Sequence, residues 1–284
     1  MEKSDIRIKH TKEEYLDIVS VLQRLIRIVL LEIREEVKEL NDILFLYSLA
    51  RACVQIDSIY RLWNVEHYSD SLILYRTQVE RLLTLHYLVD TKTIKEFDDW
   101  SFIENYENRN KAKSDQEHNQ FLTKEFWKES RKRIEKYQKL KKEKVSWKRP
   151  NSSQLEDVAK KHDLLFLYKY GYRYASGFVH PLSSDGEDEF ELVTGIKAKN
   201  RKENDTTPII NNSVVVLIFI IELALNETNF EWNEYVFKVL SSAKDFIESK
   251  SLDYKENLKI VEYMIENNYQ IFRNIRSDNE TAMK

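Results

Sequence analysis

Four glycines and three prolines in 284 residues leave this chain few places to turn sharply. A β-sandwich or barrel reverses direction about every ten residues and spends glycine or proline on many of those turns. That supply is missing here, so long helices with few breaks are what remains. Leu, Ile, Glu and Lys are abundant, which helices favour. The fold class expected is therefore all-α: a multi-helix bundle with a charged helical excursion and at most one short β segment, Phe190–Thr194 being the candidate.

Hydrophobic periodicity places the helices. Thr11 and Glu14 form a T-x-x-E capping box, after which Tyr15, Ile18, Leu22, Leu25 and Val29 repeat every three or four residues. Asn41-Asp42 reads as a break, Ile43–Trp63 as a second helix and Glu66–Val89 as a third. Thr91 or Thr93 can cap a fourth. Glu104–Lys161 is charged and poor in aliphatic residues, and its basic part, Lys128–Arg149, is interleaved with Tyr137 and Trp147. Leu164–Val179 reads as a fifth major helix stopped by Pro181. A long polar connection, Ser183–Pro208, leads to helices near Asn212–Asn226, Trp232–Glu248 and Tyr254–Asn274, with a frayed tail after Arg276. The expected organisation is N-terminal core helices over 1–103, a charged helical insertion over 104–161, and core helices over 162–284 that complete the same domain.

Composition bounds the function. A net charge of −3 supplies no global field for nucleic acid. The single cysteine, Cys53, excludes an intrachain disulfide and fits a reducing compartment, so the expected location is cytoplasmic. The N-terminus lacks the apolar core of a signal peptide. Val214–Leu225, broken by Glu222, is too short for a span of about 20 apolar residues and reads as a buried core helix, so no membrane partner is expected. The histidines show no metal-ligand spacing, and neither a P-loop nor a G-x-S-x-G elbow occurs; no metal and no cofactor are expected.

Two helices carry polar residues of interest. At about 100° per residue, positions seven apart nearly eclipse, which aligns Lys169, Arg173, Ser176 and His180, with Tyr172 beside them. Arg173 can clamp an anionic group with its fork of donors. His180, at a helix C-terminus where the macrodipole favours the protonated form, can serve as acid or base. Gly171 and Gly177 in the same helix imply close approach of a backbone or a ligand, or tight helix packing. On the third helix Arg76 lies in an apolar stripe with Glu80 four residues on, within pairing reach. The pair either fixes helix register as a structural ion pair or faces His180, where Glu80 would orient or deprotonate the imidazole.

The segments Tyr68-Ser69-Asp70-Ser71-Leu72-Ile73-Leu74-Tyr75-Arg76-Thr77-Gln78-Val79-Glu80 and Tyr172-Arg173-Tyr174-Ala175-Ser176-Gly177-Phe178-Val179-His180-Pro181 resemble the bacterial helical family catalogued as domain of unknown function 5677 (DUF5677). That family pairs an Arg-x-x-x-Glu helix with a later Tyr-x-x-x-Ser-x-x-x-His helix. Arg173-x6-His180 also resembles the R-x4-6-H motif of HEPN-domain ribonucleases, although Tyr174 stands where a polar residue commonly follows the Arg. That second likeness implies a metal-independent ribonuclease or toxin in bacterial host or phage defence. His180, Arg173 and Glu80 would be catalytic, and Arg76, Lys169, Tyr172 and Ser176 would bind substrate. RNA would be the ligand, and a homodimer or partner protein would complete the site. A non-enzymatic helical sensor or interaction subunit, its Arg/Glu/His cluster structural, is the alternative.

Overall fold

The computed structural model describes residues 10–36, 39–114, 130–179, 190, 193–196, 206–228 and 233–282, with side chains described up to residue 267. Nine α-helices among these residues are labelled in chain order: α1 (Lys12–Glu36), α2 (Leu40–Asn64), α3 (Tyr68–Thr91), α4 (Ile94–Ser114), α5 (Arg131–Lys142), α6 (Ser152–Lys161), α7 (Thr207–Glu227), α8 (Asn233–Ser249) and α9 (Asp253–Ala282). Between α6 and α7 lie a π-helical segment, Leu167–Tyr174, and a 3₁₀ turn, Ala175–Phe178. No strand occurs among the described residues, and the class is all-α. Phe190, Val193 and Thr194 are helical rather than extended, and the Thr194 hydroxyl donates back to the Phe190 carbonyl at 2.6 Å, one helical turn away.

The helix starts follow local chemistry. The capping box expected at α1 is present: Glu14 N–H donates to Thr11 Oγ1 at 3.1 Å, and Thr11 N–H donates to the Glu14 carboxylate at 2.7 Å. Asn41-Asp42 is not a break. Asp42 is the third residue of α2 and accepts from Glu39 N–H at 3.0 Å, so the signal marks a helix start rather than a gap. Pro208 occupies the first turn of α7, where its missing N–H costs nothing. At the other ends glycine is absent. Glu66, Lys92, Lys144, Asp163 and Lys250 carry positive φ values of 51–68° just past the ends of α2, α3, α5, α6 and α8. A chain so poor in glycine closes its helices with strained ordinary residues.

The chain divides into two compact units, one formed by 1–82 with 162–284, the other by 83–161. In the first, α7 is the central element: Val214, Val216, Leu217, Ile218, Ile220, Ile221, Ala224 and Leu225 are fully buried against α2, α8 and α1. Glu222, the interruption in that apolar run, pairs with Lys244 of α8 at 2.7 Å. By length and composition α2 and α7 could each cross a membrane, but 67% of the α7 window is buried within the protein, as in a core helix. α9 packs along α8 and continues past Arg276 to Ala282.

In the second unit, the basic stretch is tied down by its own neighbours. α5 ends at Lys142, well before Pro150. Tyr137 stacks on Tyr106 with ring centroids 4.2 Å apart, and Trp147 packs on Trp100 and Phe97 at 4.8 and 5.0 Å. Lys141 and Tyr137 both donate to Glu107, which holds that carboxyl below its ordinary range. The Tyr137 and Trp147 rings of the basic stretch are therefore both engaged in packing within this unit.

Candidate functional site

The polar residues of α3 and of the π-helical segment meet in the first unit. Arg76 Nε donates to Ser176 Oγ at 2.8 Å, and its Nη1 donates to Glu80 at 3.0 Å. The guanidinium carbon lies 4.7 Å from the centroid of the Tyr172 ring, a cation–π contact. Ser176 in turn donates its only hydroxyl proton to the Tyr172 carbonyl at 2.5 Å. Its oxygen is thus left as the acceptor for Arg76, and the direction of every bond in the cluster is fixed. The Arg76 and Glu80 side chains are 18% and 25% exposed, so the pair is only partly desolvated. Both spacings, Arg-x-x-x-Glu and Tyr-x-x-x-Ser, have the same origin: each puts one partner a helical turn from the other.

Side chains of α3 close directly on the backbone of the π-helical segment at Gly171. A Cβ on Gly171 would stand 2.6 Å from Tyr75 Oη and 2.7 Å from Val79 Cγ2. Tyr75 and Val79 are themselves buried, at 2% and 0% exposure. Of the explanations open for Gly171, helix packing is the one realised. Burial also pushes the Tyr75 hydroxyl far above its usual pKa, so it stays neutral.

Lys169, Arg173 and Ser176 of the expected stripe lie on the π-helical segment and the 3₁₀ turn after it rather than on one α-helix. In the π-helical segment hydrogen bonds close from i to i+5, and the wider turn carries side chains round more slowly than about 100° per residue. Ser176 is half-buried on Arg76, whereas Lys169 and Arg173 stand exposed. Among the described residues neither cation forms an ion pair. His180 and Pro181 lie outside the described residues. The structure thus brings together Arg76, Glu80, Tyr172 and Ser176, and leaves Lys169 and Arg173 exposed.

Two features were not foreseen. One is the π-helix itself, a rare element found often at functional sites. The other is a row of exposed aromatic rings, Phe166, Tyr170 and Tyr174, at 59%, 56% and 62% exposure. The signal for the second was visible in the run Tyr168-Lys169-Tyr170-Gly171-Tyr172-Arg173-Tyr174, where tyrosines at alternate positions cannot all be buried by one helix. Among the described residues no group of three or more His, Cys, Asp or Glu is placed to hold a metal ion.

A helical scaffold with an arginine clamped between two motif helices defines the class of protein. The chain belongs to the family of unknown function DUF5677, whose model matches residues 42–192, a span that includes both motif segments. Comparison with curated proteins and with solved structures finds no match. These comparisons give no support to the HEPN likeness, which rests on the Arg173-x6-His180 spacing alone.

Proposed function

We propose that this chain acts on RNA as a metal-independent ribonuclease or related phosphodiester-acting toxin. The observation that carries the reading is the pair of exposed cations, Lys169 and Arg173, which form no ion pair among the described residues and lie on the π-helical segment that Arg76 contacts through Tyr172. An exposed guanidinium is suited to grip a phosphate with two parallel bonds. His180, seven residues beyond Arg173, supplies the acid or base, and Lys169 a second backbone contact. Glu80 already accepts from Arg76, so its role is to position that residue. Expression of wild type and His180→Ala in bacteria, with growth and total RNA followed together, tests the proposal. The expected result is growth arrest with RNA fragments in wild type only. Intact RNA and equal growth in both would remove its basis.

A second reading is a non-enzymatic helical sensor or interaction subunit. It is favoured by the engagement of Arg76 on three sides by protein groups, which leaves the cluster a structural function. Under this reading His180→Ala and Glu80→Ala both lower the melting temperature by several degrees. Under the first, His180→Ala yields a well-folded, inactive protein.

A further inference from the structure

The exposed aromatic row has a chemistry that points to a particular occupant. Phe166, at the N-cap of the π-helical segment, and Tyr170 and Tyr174 within it recur every four residues, and Tyr174 meets Phe178 at a centroid distance of 5.6 Å. Phe166 and Tyr170 lie with centroids 4.8 Å apart, their planes inclined by 44°. All three rings are more than half exposed. Large rings gathered at such exposure in one short stretch of chain mark a ligand or partner surface, whereas scattered single ones are ordinary. Lys169 directly precedes one tyrosine of the row and Arg173 the other, and both are exposed. Rings that accept a π-face next to cations that accept a phosphate reproduce the two chemical halves of a nucleotide strand. The rest of the chain is net acidic, so this local positive charge is not a sample of a generally basic surface.

We infer that Phe166, Tyr170 and Tyr174 form a stacking platform for the unpaired bases of single-stranded RNA, with Lys169 and Arg173 holding the intervening phosphates. The inference rests on the proposed action on RNA and adds the class of substrate: unpaired strands, read by stacking and without strong sequence preference. A blunt duplex keeps its internal bases stacked and offers the rings only its two end pairs.

The test uses the full chain carrying His180→Ala, so that binding is measured without cleavage. Fluorescence anisotropy compares a labelled 12-nucleotide single-stranded RNA with a blunt duplex of the same length at two salt concentrations. The expected result is preference for the single strand, weakened about tenfold or more by Tyr170→Ala or Tyr174→Ala and retained by Tyr170→Phe or Tyr174→Phe. Lys169→Ala should reduce the salt dependence of binding. Equal affinity for the duplex, or binding indifferent to both tyrosine-to-alanine changes, would overturn the inference. So would a wild-type dimer that Tyr170→Ala converts to a monomer in light scattering, since the row would then be an interface between copies. The two readings fail separately: RNA cleavage untouched by the tyrosine changes sinks only the platform. Tyrosine-dependent binding with no cleavage by the wild type sinks only the nuclease.

Discussion

Arg76 Nε donates to Ser176 Oγ at 2.8 Å, joining residues one hundred positions apart in sequence into one four-residue cluster. Truncation of the arginine removes that bond, the Glu80 pair and the contact with the Tyr172 ring together. Arg76→Ala should cost about 2–4 kcal/mol, read as a fall in the denaturation midpoint. Arg76→Lys should recover less than half, because an ammonium cannot serve Ser176 and Glu80 with the same planar fork.

Gly171→Ala should destabilise by about 1–3 kcal/mol through overpacking against Tyr75 and Val79. The double replacement Tyr75→Leu with Val79→Ala removes all three of the closest contacts, Tyr75 Oη, Tyr75 Cζ and Val79 Cγ2. It should make Gly171→Ala less costly in that background than in wild type. Chemical denaturation of the four proteins closes the cycle, and equal costs in both backgrounds would refute the packing argument.

Helix ends offer stabilising changes. Lys92 follows α3 with φ of 55°, a conformation that costs an L-residue about 1 kcal/mol and glycine almost nothing. Lys92→Gly should raise stability by a few tenths of a kcal/mol, the part of that strain left after the entropy of the unfolded glycine is subtracted. Lys250→Gly after α8 should behave alike, and thermal melts of the two single variants and the pair should show additive gains.

His10 packs on Phe246 with ring centroids 4.1 Å apart, and burial holds its pKa below the ordinary value of 6.5 despite the nearby Glu14 carboxylate. The unfolded chain therefore binds this proton more readily than the folded one. Stability from this group is complete above pH 6.5 and is lost as pH falls from there through the lower folded value. Urea midpoints between pH 7.5 and 5.5 should decline in wild type and decline less in His10→Phe.

Cys53 is half-buried, and burial together with Asp57 raises its thiol pKa. Alkylation at pH 8 should be several-fold slower in the native protein than after denaturation, followed by intact mass.

Helix number and placement were legible because capping and periodicity are local. Thr11/Glu14 and the buried Val214–Leu225 run are read from a few adjacent residues. Arg76 with Glu80 was legible for the same reason. The meeting of Arg76 with Ser176 was not, since it depends on the α3 crossing at Gly171, a contact between distant segments. The winding of the segment that carries Lys169 and Arg173 was not legible for a different cause. An α-helical period was applied to residues that wind as a π-helix, and no residue type announces that change. Asn41-Asp42 was misread because a polar pair marks a helix start as readily as a gap.

The π-helical segment has a consequence for how sequence variation here should be read. A π turn is an α-helix that has absorbed an additional residue, so the segment acts as a phase shifter for whatever follows it. Relaxation of Leu167–Tyr174 to the ordinary pitch with all eight residues retained would carry the downstream turn round its axis. Ser176 would leave Arg76 while every motif residue remained in the sequence. In relatives of this chain, residue counts across the segment therefore matter as much as residue identities.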